Sequence, residues 1–181
     1  MAVLEIVKHP DIILREKSTE IETFDKSLKE ISRNMIDTMH AAKGIGLAGV
    51  QVAYTKRILV LDVGGMKIGD DEDSQERTES NPEVYINPEI LEFRGETEYE
   101  EGCLSIPGIY GLVDRSEEID IRYQDINGDT YEESVDGLKA IVLQHEIDHP
   151  NGVLFIDHLS PMKRSMLLAK YKKLQLEAAE D

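Results

Sequence analysis

Tryptophan is absent, cysteine occurs once, and aromatic residues make up 6% of the 181 positions, scattered along the chain. A single cysteine, Cys103, excludes an intramolecular disulfide. It suits a reducing compartment, where a lone thiol serves as a core residue, a nucleophile or a metal ligand. No stretch approaches the ~20 apolar residues of a membrane span. The first residues, Met1 to Ile6, place Glu5 inside a short apolar run and so lack the apolar centre of a signal peptide. The expectation is a cytoplasmic protein with no membrane association. Positive charge is scarce as well. There are 20 Lys and Arg against 37 Asp and Glu, a formal charge of −17, which repels phosphate backbones and argues against specific DNA binding.

Hydrophobic residues at 40% and charged residues at 31% are ordinary for a globular chain, and the length predicts a single domain over 1–181 with a core that needs no staples. Basic residues collect in one place: Lys163, Arg164, Lys170, Lys172 and Lys173 fall between Ser160 and Leu174 without an acid among them. Such a segment is either a docking element or the solvated face of a surface helix.

Leu28, Ile31, Met35 and Met39 recur at helical spacing and predict a helix from Asp25 to Ala42. A strand is predicted at Arg57–Val63, and short strands at Val84–Ile86, at Ile90–Phe93 and along the alternating Ile119, Ile121 and Tyr123. Asn127-Gly128 signals a hairpin turn. Residues 64–82 read as a solvated acidic loop. Asp136 is placed to cap a helix over 137–149 that carries Leu138, Ile141 and Val142 on or near its apolar face and is stopped by Pro150. Ser160-Pro161 opens a final helix over 160–178 bearing Met166, Leu167, Tyr171 and Leu174. Short strands and three helices without regular βαβ alternation predict an α+β fold, with mostly antiparallel strands around the helix of residues 137–149.

That helix carries His145-Glu146-Ile147-Asp148-His149, an H-E-x-x-H motif. Four residues turn a helix by ~400°, so both imidazoles leave one face and suit one metal ion, with Glu146 placed to handle a proton on a water. The alternative is a surface helix with two ordinary histidines. A catalytic site needs a third protein ligand and an open position. Cys103, within Glu101-Gly102-Cys103-Leu104-Ser105, is the natural candidate, against the plainer reading of a small buried core residue. Gly44 to Gln51 is glycine-rich but follows a helix rather than a strand, so a dinucleotide loop is disfavoured. Its glycines let the backbone pass close to another chain or ligand, and Gln51 is either a donor to a developing oxyanion or a structural glutamine.

Taken in order, the three segments resemble the signature motifs of the peptide deformylase family: G-x-G-L-A-A-x-Q, E-G-C-L-S and Q-H-E-x-D-H, here Gly44–Gln51, Glu101–Ser105 and Gln144–His149. The likeness extends to His9-Pro10-Asp11, Ile86-Asn87-Pro88 and Gly152–Asp157. It implies hydrolytic removal of the formyl group from N-terminal formyl-methionine of nascent polypeptides. The implied cofactor is one divalent metal ion, Fe²⁺ natively, with Zn²⁺, Ni²⁺ or Co²⁺ able to replace it. Carried across by motif, the ligands are Cys103, His145 and His149. Glu146 takes a proton from the attacking water and passes one to the departing amine. The Gln51 side chain and the Leu104 N–H stabilise the oxyanion.

By the same resemblance, the Gly44–Gly46 backbone pairs with the peptide, while Ile45, Leu138, Ile141 and Val142 line the methionine pocket. Glu101 and Arg115 form an ion pair that braces the cysteine loop, and the basic C-terminal helix docks on the ribosome. Three departures carry expectations. Gly49 and Val50 replace Ala and Pro, which should loosen the loop before Gln51. Pro150 replaces Leu, which should leave His149 at a frayed helix end. Tyr110 or Gly111 stands near where relatives carry a basic residue at the cleft rim. The competing readings are an H-E-x-x-H metallopeptidase with His158 as third ligand, and a non-catalytic metal- or ribosome-binding module.

Overall fold

The computed structural model describes residues 2–64 and 80–180. Most of the expected acidic loop at 64–82 therefore lies outside the described residues. The first long helix, α1 (Lys26–Ala41), begins where Asp25 accepts a hydrogen bond from the Leu28 N–H at 3.0 Å, as an N-cap should. Its Leu28, Met35 and Met39 are buried. Next come β1 (Gly46–Ala48), a 3₁₀ turn at Gly49–Val52, and β2 (Ile58–Leu61). The glycine-rich segment is thus partly strand.

The strands β3 (Glu83–Arg94), β6 (Glu118–Gln124) and β7 (Thr130–Asp136) complete a five-stranded antiparallel sheet in the order β1-β2-β3-β6-β7. The two short strands expected at 84–86 and 90–93 are one strand, β3. Its register with β6 shifts between Ile86 and Glu89, because Pro88 has no N–H for the ladder and Asn87 instead bonds Ile21 and Gln124. A second, two-stranded sheet joins β4 (Thr97–Cys103) to β5 (Ile106–Arg115).

Both faces of the larger sheet are covered. Leu59 and Leu61 of β2 join a cluster with Ala140, Leu143 and Ile147 of α2 (Gly137–Asp148), whereas Ile58 and Val60 join Leu28, Met35 and Met39 of α1. Burial on both faces is why β2 is uniformly apolar instead of alternating. Helix α2 lies between the sheet and the β4–β5 hairpin, and nine of its residues are buried. It therefore has no single apolar stripe of the kind expected from Leu138, Ile141 and Val142 alone.

The other end of the molecule is closed by α3 (Pro161–Glu180). Its Tyr171 packs with Ile109, Val113 and Phe155, while Met166, expected among the helix's apolar residues, is exposed. Ser160 caps α3, its Oγ accepting from the Lys163 N–H. Two terminus expectations need correction. Asp136 occupies the N-cap position of α2, but its side chain makes no capping bond. His149 does not fray: it has α-helical φ −55 and ψ −50 and leads into a 3₁₀ turn over His149–Asn151. Pro150, buried, sits in the first turn of that element, where a missing N–H costs nothing. No helix among the described residues is long and apolar enough to cross a membrane.

Candidate metal centre

His145 and His149 project from the same face of α2, their ring centroids 5.1 Å apart. Cys103 is the last residue of β4 and meets them across the gap between helix and hairpin. The Cys103 sulfur and one nitrogen from each histidine lie within 4.8 Å of one another, and Cys103 Sγ is 3.5 Å from His149 Nε2. Glu101, two residues before the cysteine on the same face of β4, fixes the other histidine. Its Oε2 lies 2.7 Å from His145 Nδ1, which turns Nε2 toward the cluster. Arg115 grips Glu101 from the neighbouring strand at 2.6 and 3.0 Å and reaches Asp148 at 2.9 Å. The side chains of Glu101 and Arg115 are each 4% exposed, so the pair is a buried, doubly bonded one.

Electrostatics explain why the arrangement suits a cation. Burial alone would raise the Glu101 carboxyl pKa, but the bonds from Arg115 and His145 hold it down at about 2. Burial alone would lower the pKa of His145, but its hydrogen bonds to Cys103 and Glu101 more than offset this and leave it well above the ordinary value. Burial and the neighbouring charge of His145 push His149 well below it. The Glu101 carboxylate and the Cys103 sulfur thus draw positive charge to His145, the role a divalent ion fills when it replaces that proton. A thiolate and two imidazoles form an attested catalytic donor set that keeps one position open. Glu146 lies beside the cluster, its Oε2 buried without a partner, and burial pushes its pKa up to about 7. The donors present fit a metal.

Gln51 approaches from the 3₁₀ turn after β1. Its Oε1 accepts from the Ala48 N–H at 2.8 Å, which fixes the amide so that Nε2 points at Ser105 Oγ (3.1 Å) and Cys103 Sγ (3.5 Å). Gly46 is required here: a Cβ at this position would lie 2.5 Å from Glu146 Oε1. The cleft in front of the donors, about 560 Å³, is lined by Gly44, Ile45, Gly46, Ile141 and Val142 together with Gln51, Cys103 and Glu146. Leu138, expected in the methionine pocket, is not among the lining residues; it is buried in the core cluster of α2 and the larger sheet. A cavity of about 1070 Å³ lies behind the centre beside Arg115, Asp148 and His158. It contains none of the three donors, so size alone does not mark the site.

The sequence profile of the polypeptide deformylase family matches residues 3–165. The chain belongs to this family. It is 46% identical over 173 residues to the peptide deformylase of Chromobacterium violaceum, covering 96% of each chain. To that of Novosphingobium aromaticivorans it is 45% identical over 188 residues, covering 98% of this chain and all of the relative. The crystal structure of a peptide deformylase from Legionella pneumophila superposes with a TM-score of 0.87 at 41% identity over 99% of both chains. That from Ehrlichia chaffeensis in complex with actinonin gives 0.83 at 40% identity, covering 96% of this chain and 98% of that one.

Against the family pattern, the departures read differently in three dimensions. Gly49 does not loosen its loop. A Cβ there would meet the carbonyl oxygens of Tyr54 and Lys56 at 2.6 and 2.9 Å, so glycine permits a tighter turn behind Gln51. Tyr110 does stand at the cleft rim, 60% exposed, its ring over Gly102. His158 is no third ligand; its Nε2 lies 2.8 Å from Asp148 Oδ2. Sequence reasoning passed over Asp148, Ser105 and Tyr99. Asp148 and Ser105 lie inside the motifs. Tyr99, also lining the cleft, shares the face of β4 that carries Glu101 and Cys103, so the period-two alternation of a strand identifies it.

Proposed function

We propose that Cys103, His145 and His149 hold one divalent metal ion, Fe²⁺ as the native ion, and that the cleft hydrolyses the formyl group from N-terminal formyl-methionine of nascent chains. The chain is a peptide deformylase, a metal-dependent amide hydrolase. The residue assignment rests on one observation, the convergence of the three donors within 4.8 Å beside a buried carboxyl. A bound metal supplies Lewis acidity that makes water nucleophilic near neutral pH.

The protein's own groups do the rest. Glu146 takes a proton from the attacking water and returns one to the departing amine nitrogen; burial, which raises its pKa above the ordinary carboxylate value, suits both roles. The Gln51 Nε2 amide and the Leu104 N–H donate to the oxygen that gains charge as the formyl carbon becomes tetrahedral. Glu101 and Arg115 hold the His145 ring and the end of β4 in register. Ile45, Ile141 and Val142, with Tyr99, offer an apolar wall to a methionine side chain. The Gly44–Gly46 backbone, at the edge of the larger sheet, receives the peptide as an added strand. Formate release from a formyl-methionyl peptide by anaerobically metal-loaded protein tests the reading. Full activity in Glu146→Ala would refute the assigned base.

The acid-free stretch of α3 is proposed to dock on the ribosome, and the chain to act in the cytoplasm. Lys163, Lys170, Lys172 and Lys173 are exposed, with Met162 and Met166 among them. Because Tyr171 is core, the test is charge reversal at Lys163, Lys170 and Lys172, not truncation. Unchanged salt-sensitive ribosome binding would refute the docking.

A further inference from the structure

Leu104 and Ser105 are the two turn residues of the β4–β5 hairpin, between the paired Cys103 and Ile106. Two-residue hairpin turns favour the primed types, which match strand twist and need positive φ at one or both central residues. Among the described residues that are not glycine, positive φ is confined to Lys43, Ala53 and Asn87. The Leu104–Ser105 turn is therefore unprimed, and the β4–β5 register breaks beside it between Gly102 and Cys103, so regular strand pairing does not fix it.

It is held from outside, by residues 7–9 crossing between the two loops that carry the oxyanion donors. The Val7 N–H donates to the Gln51 carbonyl at 2.8 Å and the His9 N–H to the Ser105 carbonyl at 2.9 Å. Between them, the Lys8 ammonium donates to the Leu104 carbonyl at 2.6 Å. Leu104 C=O and Leu104 N–H leave the same Cα, one into each adjoining peptide, so holding the carbonyl restrains the residue that presents the N–H. Tyr171 of α3 steadies the same segment by donating its hydroxyl to the His9 carbonyl at 3.2 Å. Partial burial pulls the Lys8 pKa down, and the charge of Cys103 offsets this in part, which places the ammonium within electrostatic reach of the cysteine loop.

We infer that Lys8 is a positioning residue for deformylation: held on the Leu104 carbonyl, beside the His9 bond to Ser105, it steadies the Leu104 residue and so keeps the Leu104 N–H aimed at the reacting oxygen. The inference rests on the deformylase reading and adds to it a residue outside the three motifs.

The test compares metal-loaded wild type, Lys8→Met and Lys8→Arg as full chains, by formate release from a formyl-methionyl tripeptide and by hydrogen exchange over residues 99–106. Lys8→Met should lower kcat about tenfold, as expected for a misaimed donor, with KM and bound metal within twofold of wild type and faster exchange at the turn. Lys8→Arg should recover at least half of kcat and the slow exchange. The assignment is overturned by a kcat for Lys8→Met within twofold of wild type, by a loss confined to KM or to metal content, by failure of Arg to recover, or by a Lys8→Met chain that does not fold. Absence of formate release by the wild type would instead overturn the functional reading, and the exchange data would still decide whether Lys8 steadies the turn.

Discussion

Replacing Glu101 by Gln removes one charge from the most buried ion pair in the site without changing its shape. Arg115 would lose a carboxylate it contacts at 2.6 and 3.0 Å and keep only Asp148, at 2.9 Å, as a charged partner. Breaking a buried pair from one side costs about 3–5 kcal/mol. The surviving Asp148 contact puts the expected loss near the lower end, about 3 kcal/mol. An amide also offers one acceptor where the carboxylate offers two, so either Arg115 or His145 Nδ1 goes short, and metal affinity should fall about 10–100-fold. The stability effect has a defined pH dependence. The folded pKa, about 2, lies below the ordinary 4.5, so the contribution is complete above about 4.5 and is lost as pH falls toward 2. Urea unfolding of metal-free wild type and Glu101→Gln across pH 3–7, with Zn²⁺ affinity by chelator competition, measures both. A difference under 1 kcal/mol at pH 7, or one that grows on acidification, would refute the reasoning.

Three further outcomes are expected. Gly46→Ala should cut kcat about 100-fold with little change in overall stability, because its Cβ would stand 2.5 Å from Glu146 Oε1 and displace the carboxyl proposed as base; steady-state kinetics beside thermal melting check this. Gly49→Ala should destabilise by about 1–3 kcal/mol, since two backbone carbonyls occupy the space a methyl needs; an unfolding midpoint equal to wild type would contradict it. Burial holds the Glu146 pKa up at about 7 without metal; a bound cation pulls it down, so in the loaded enzyme the ionised carboxylate proposed as base is lost as pH falls through a lower value. The acid limb of kcat/KM should therefore disappear with the residual activity of Glu146→Gln, while bound metal remains; a limb that persists belongs to another group.

Much of the site was legible because its residues sit at spacings that secondary structure converts directly into geometry. His145 and His149 share a helix face by the four-residue turn, and Glu101 and Cys103 share a strand face by the two-residue repeat. The helices failed where tertiary surroundings overrode local pattern. Burial of α2 on nearly all sides erased the stripe that Leu138, Ile141 and Val142 suggested, and Leu138 went to the core. Pro150 does end α2, which stops at Asp148, but His149 does not fray, because a 3₁₀ turn absorbs the proline, and that turn has no separate sequence signal. The bond from Lys8 to Leu104 spans 96 positions, and no periodicity reports a contact that far apart.

The central claim is that one sulfur and two imidazole nitrogens of this chain bind the same ion. X-ray absorption at the zinc edge of stoichiometrically loaded protein tests it most directly. The account predicts one sulfur at about 2.3 Å and two nitrogens at about 2.0–2.1 Å, with the sulfur contribution gone in Cys103→Ala. A spectrum without sulfur in the wild type, or one unchanged by that substitution, would contradict it.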